Sequence, residues 1–144
     1  MRDRLTGLLW SRDANLATGA VGWQQALDTA NVISLCGAAS WRLPNTVELR
    51  TLVHFGESDL ELWLEGEGFE NVQLNDPYWS STTRAYQTNN AFGVQLGAST
   101  LYAFSKAVAQ GGAGYVWAVS DALDVVFEDG FESGGPENWS TVVP

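Results

Sequence analysis

Arg42, Asn45 and Glu48 crowd into the stretch "SWRLPNTVELRTLV", residues 40–53. A guanidinium, an amide and a carboxylate this close together could grip an anionic ligand or share a proton. The spacing supplies a second use for each of them. Pro44 disfavours helical backbone at Leu43, so "WRL" is expected to be extended. Asn45 then falls at a helix N-cap and Glu48 at the third helical position, which is capping-box spacing with Asn in the role of Ser or Thr. Leu49, Leu52 and Val53 follow at the intervals of one helix face. Glu48 in the first turn also complements the helix dipole. Trp41 is expected to sink into the core, where its indole N–H needs one acceptor. Arg42 remains, and an internal ion pair or bonds to backbone carbonyls are expected of it ahead of ligand contact. The stretch reads as a fastener.

Other reactive side chains are few. Cys36 is the one cysteine, so neither an intrachain disulfide nor a cysteine metal site is expected. His54 is the one histidine, and it falls just past the Leu52–Val53 pair, as a partly exposed helix-end residue would. No paired carboxylates, metal cluster or nucleophile–base pair stands out. The chain is therefore expected not to be an enzyme, with no catalytic residues, no metal site and no cofactor.

Net charge is −10, and the acids are bunched. Glu57, Asp59, Glu61, Glu65, Glu67 and Glu70 form one unrelieved run, and Asp121, Asp124, Glu128, Asp129, Glu132 and Glu137 form another. Each reads as a solvated face. The first run has no EF-hand spacing, and whether it holds calcium stays open. Such acidity argues against nucleic acid as a partner. No apolar run is long enough to insert into a membrane. Arg2 and Arg4 are followed by no apolar segment of signal-peptide type, although a piece of a longer secreted chain would look the same.

Between Pro77 and Ser120 there are no acids. This region holds Arg84, Tyr86, Gln87, Thr88, Asn89, Asn90 and Gln95 in a short span. Amides, hydroxyls and a flat ring are what a carbohydrate- or protein-binding surface uses. Strand alternation in "TLYAFSK" puts Thr100, Tyr102, Phe104 and Lys106 on one face, so Tyr102 and Lys106 can join that surface. Arg84, Tyr86, Thr88, Asn89, Asn90, Gln95, Tyr102 and Lys106 are the expected ligand-binding residues. Ordinary loop and strand roles, with Phe104 in the core, are the competing reading.

The elements that must hold these residues can be drawn from the pattern. The 144-residue chain is 45% hydrophobic and 17% charged, which fits one globular domain. "TGLLW" (6–10) reads as a short buried strand. Trp23, Ala26, Leu27, Ala30 and Ile33 give a first helix, poorly capped by Gly22. A second helix follows Asn45, and a short third runs from about Leu60 to Gly66 or Gly68. Strands are expected over 78–83, 91–96, 100–106 and 115–120. Gly97 is expected to turn a hairpin with positive φ, and "QGGAG" (110–114) to be a flexible loop. Helices first and strands after predict an α+β domain over 1–121, with an acidic tail over 122–144.

"TGLLWSRDAN", "SWRLPNTVELRTLV", "WLEGEGFENVQ", "YWSSTT", "AFGVQL" and "GYVWAVSD" follow one another in an order that resembles the Lcl C-terminal domain family of bacterial surface and secreted proteins. The most specific pair is W-R-L-P-N with Y-W-S-S-T. The resemblance implies a C-type-lectin-like fold, with two main helices and a short third packed on a twisted antiparallel sheet. It implies an extracellular or cell-surface binding module of adhesin type, with a glycan or protein as partner. A structural or self-associating (homo-oligomeric) domain of a larger surface protein is the alternative. Some proteins of this fold are diversified by retroelements in the later strands, and the scaffold would suit that use. Where similar proteins carry a cysteine that pairs near Cys36, this chain has Leu16. Ala118 and Ser120 stand where they carry proline and arginine. An anionic-ligand site resting on that arginine is therefore not expected here, and sulfated polyanions should bind weakly. The tail from "VFEDGFESG" to "NWS" resembles C-terminal segments of exported proteobacterial proteins, which implies export.

Overall fold

Residues 116–119, "VWAV", are all fully buried, a run with no exposed face. Alternation sends Trp117 and Val119 into one hydrophobic cluster, and Val116 and Ala118 into another. The domain is built on both sides of this segment. A computed structural model of the protein describes residues 1–121 apart from Leu5 and Ala39, and the tail expected over 122–144 lies outside the described residues.

The elements, in chain order, are β1 (Leu9–Trp10), α1 (Trp23–Val32), β2 (Trp41–Arg42), α2 (Thr46–Thr51), α3 (Leu60–Gly66), β3 (Tyr78–Thr83), β4 (Asn90–Gln95), β5 (Thr100–Ser105) and β6 (Val119–Ser120). This is an α+β architecture. A single-turn 3₁₀ helix, Val108–Gln110, follows β5. One sheet has the order β1-β6-β2 and the other β3-β4-β5, with all pairings antiparallel. A twisted antiparallel sheet was the expectation, and the structure has two antiparallel sheets. The strand expected over 115–120 shrinks to its last two residues for the same reason. Most of its earlier backbone groups bond to loops instead of a ladder: Tyr115 N–H to Pro77 O at 2.9 Å, Leu16 N–H to Val116 O at 3.1 Å, and Ser11 N–H to Ala118 O at 2.9 Å, while Tyr115 O accepts from Trp79 N–H of β3 at 3.0 Å in a single parallel bridge. The expected strand over 6–10 likewise contracts to Leu9–Trp10.

The helices divide between the clusters. α1 buries Ala26 and Ala30 against Trp41, Leu43 and Trp79. α2 and α3 bury Leu49 and Leu64 against Trp10, Phe69 and Trp117. Gly22 caps α1 with no side-chain bond, as a glycine must. α3 ends before Gly68, whose φ of +95° glycine adopts at little cost. Trp79 and Phe104 stack with centroids 3.9 Å apart, a contact type that adds about 1 kcal/mol beyond burial. Trp117 is met edge-on by Trp10 and Phe69.

Two turn expectations are corrected. In the β4–β5 turn the left-handed residue is Ser99, at φ 51°, and not Gly97. Gly97 serves close approach, because a Cβ there would lie 2.9 Å from Leu74 O. Residues 110–114 were expected to form a flexible loop; they are a bonded turn. Gly111 N–H donates to Val108 O, Gly112 N–H to Ala107 O, and Gly114 N–H to Val21 O.

Candidate functional site

The expected fastener is where the charged chemistry of residues 40–53 is spent. Asn45 Oδ1 accepts from the N–H groups of Val47 at 2.8 Å and Glu48 at 2.9 Å. Glu48 Oε2 accepts in return from Asn45 N–H at 2.7 Å, which completes the capping box. Arg42 grips Glu48 with both nitrogens at 2.9 Å and reaches Asp121 Oδ1 at 2.8 Å. One guanidinium thus joins β2, α2 and the end of β6. The Glu48 bond is the largest influence on Arg42 and raises its already high pKa. Burial pushes the Glu48 carboxyl up, but hydrogen bonds from Arg42 and Asn45 outweigh it and leave the group below the ordinary glutamate value. Pro44 O accepts from Ser81 N–H at 2.8 Å, so the entry to α2 is also pinned to β3. Trp41 is buried, with its N–H on Ala38 O at 3.0 Å.

His54 is exposed and lies against Trp63, centroids 4.9 Å apart. Cys36 is exposed and free, and Leu16 packs against the α1 cluster. Among the described residues no group of three or more His, Cys, Asp or Glu is arranged to hold a metal, and no helix is long and apolar enough to cross a membrane.

The expected ligand-binding residues fall into two groups. Arg84, Tyr86, Thr88 and Asn89 share the loop joining β3 to β4, and Asn90 is the first residue of β4. That loop is tied by Gln87 N–H to Arg84 O at 3.2 Å, Asn90 N–H to Gln87 O at 2.8 Å and Arg84 N–H to Asn90 O at 3.0 Å. The backbone is therefore ordered while the side chains project outward. Tyr86 is 98% exposed, and Arg84, Gln87, Thr88 and Asn89 are exposed with it. Gln95 lies at the other end of β4, about 17 Å along the strand from Asn90. It accepts from the Tyr102 hydroxyl at 3.1 Å and donates to Asn75 O at 2.7 Å. The cross-strand register puts Tyr102 opposite Gly93 and Ser105 opposite Asn90. Gln95 and Tyr102 therefore form a separate half-exposed patch.

Lys106 belongs with the loop but is occupied. Its Nζ donates to Thr83 Oγ1 at 2.9 Å and sits 3.9 Å from the Trp23 ring centroid. Its backbone N–H donates to Asn89 O, and its carbonyl accepts from Trp23 N–H. The lysine anchors the hairpin base to the start of α1. Nothing near Lys106 in the sequence signals this, because its ring partner lies in the first helix.

Two hollows occur elsewhere. One, of about 310 Å³, lies between Phe55, Asp59, Leu74 and Gly97. The other, of about 700 Å³, lies between the N-terminal turn, α2 and α3, and includes Trp10 and Trp63. Sequence reasoning found neither.

The molecule is thus an α+β scaffold: two small antiparallel sheets framed by three helices among the described residues, with a polar hairpin loop projecting from one sheet. Residues 1–120 match the family model of the Lcl C-terminal domain, and the chain belongs to that family. No curated protein matches the chain in sequence.

Proposed function

We propose that this chain is a non-catalytic binding module of C-type-lectin-like fold, working outside the cell or at its surface. It recognises a glycan or protein ligand through the loop between β3 and β4. The observation that carries this reading is Tyr86, a tyrosine ring 98% in solvent on a loop whose backbone is hydrogen-bonded in place. An aromatic side chain gains about 1.5–3 kcal/mol when buried, and here that gain is left for a partner. Amides and hydroxyls beside it, on Gln87, Thr88 and Asn89, supply donors and acceptors. Holding the loop in one shape lowers the entropy cost of binding.

A glycan array together with a pull-down from surface extracts tests this reading. Wild type should retain a ligand. Tyr86→Ala and Asn89→Ala should each weaken retention about tenfold or more with unchanged melting temperature. Folded wild type that binds in neither assay, or variants that bind equally well, would defeat the proposal. With a net charge of −10, heparin should bind weakly.

A second reading, self-association, is favoured by one feature. β5 is the outer strand of its sheet, and it exposes Leu101 and Tyr102. A free strand edge invites pairing with another strand.

A further inference from the structure

Four indoles in the two clusters have a carbonyl acceptor: Trp23 on Ser80 at 2.8 Å, Trp41 on Ala38 at 3.0 Å, Trp79 on Val21 at 2.7 Å and Trp117 on Ser11 at 2.9 Å. Trp10 does not follow this pattern. It is 0% exposed, and its Nε1 has no hydrogen-bond partner among the described residues. A buried donor without an acceptor gives up its bond to water and gains nothing in return, and native interiors keep few of them.

Trp10 lines the hollow of about 700 Å³, a volume within the range of small-molecule sites. The walls are apolar and aromatic, with Trp63, Phe69 and Leu52, and His54 lies over Trp63. The rim is the N-terminal turn. That turn folds back on β1 through Asp3 N–H to Leu8 O at 2.8 Å and Trp10 N–H to Met1 O at 2.7 Å. Arg2 and Arg4 on it are exposed and form no ion pair with the described residues, in a chain with only 7 basic residues. Asp3 is engaged inside the turn by the Thr6 hydroxyl, and Glu67 is the other acid at the rim. The hollow therefore combines flat apolar walls, two guanidinium groups, and a lining residue, Trp10, whose buried indole N–H lacks an acceptor among the described residues.

We propose that this hollow binds a small aryl carboxylate. Its ring lies against Trp63 and Phe69, and its carboxylate accepts from Trp10 Nε1–H and from Arg2 or Arg4. Trp10 Nε1 is closed to water, so binding includes a shift of the N-terminal turn. The site is independent of the Tyr86 loop.

The test uses the full chain, isotopically labelled, with the indole N–H resonances assigned. Phenylacetate is titrated, with 2-phenylethanol as the neutral analogue. The Trp10 indole signal should move saturably with phenylacetate, while those of Trp41 and Trp79 stay in place. The double variant Arg2→Gln, Arg4→Gln should bind phenylacetate about fivefold or more weakly with an unchanged melting temperature. A Trp10 signal that phenylacetate leaves still overturns the proposal. So does equal binding of the neutral analogue, or a trapped water found as the permanent acceptor of the indole N–H.

Discussion

Glu48 accepts three hydrogen bonds, two from Arg42 and one from Asn45 N–H. Its role is mechanical, and its energetic signature follows from its charge. The folded-state pKa is lowered, so the stabilisation is present above the ordinary glutamate value and is lost as pH falls through the folded one. Thermal melts between about pH 7 and pH 3, a range spanning that carboxylate's titration, should show wild type losing stability at the acid end. Glu48→Gln should start lower and lose less, so the two curves converge. Equal acid sensitivity in both would show that Glu48 is not the sensing group. Asn45→Ala should cost about 1 kcal/mol through the lost cap, read by denaturant unfolding. Asp121→Ala should cost far less, because that end of the Arg42 network is in solvent. These roles could be read in advance because capping is written in residues three apart. Which acid Arg42 would take could not be read, because Asp121 arrives from the far end of the domain.

The hairpins and turns show the same division between near and far. The β3, β4 and β5 boundaries were legible to within a residue, because β-branched and aromatic runs between turn residues declare a strand locally. The irregularity in β3 was not. Trp79 pairs with Gly93 and Thr83 with Ala91, so β3 carries extra residues between these pairs. The excursion lets Ser81 reach Pro44. The turn after β5 depends on a missing side chain. A Cβ on Gly112 would come 1.7 Å from Ser105 O and 2.6 Å from its carbonyl carbon, both backbone atoms that cannot swing aside. Gly112→Ala should cost about 3 kcal/mol or more by denaturant unfolding. An alanine variant as stable as wild type would show that the turn does not hold β5 as described. The Tyr86 loop was recognisable as polar and aromatic from composition. Its separation from Gln95 and Tyr102 depends on strand length and register, and Lys106 was withdrawn from it by a ring more than eighty residues away in sequence.

Across the molecule, the α+β class was readable because helical and strand periodicities occupy different parts of the chain. The split into two sheets was not, since the pairing of β6 with β1 and β2 leaves no local trace. The hollow beside Trp10 left none either, because it is made by four residues folding back over a strand. The open edge of β5 makes its own prediction. If it mediates self-association, sedimentation velocity should show dimer growing with concentration, and Leu101→Lys should abolish it, because a charge at an edge opposes pairing. A monomer at every concentration would remove that reading and leave the loop proposal intact. β6 also governs when the domain can close. Leu9 and Trp41 both wait for Ser120, and the Trp117 indole bonds to Ser11 across 106 residues. Contacts this distant in sequence form slowly, after long loops have closed. On a ribosome making the chain from its N-terminus, the slot between β1 and β2 stays empty until nearly all of the domain has been synthesised, so the nascent chain cannot lock into its final shape early.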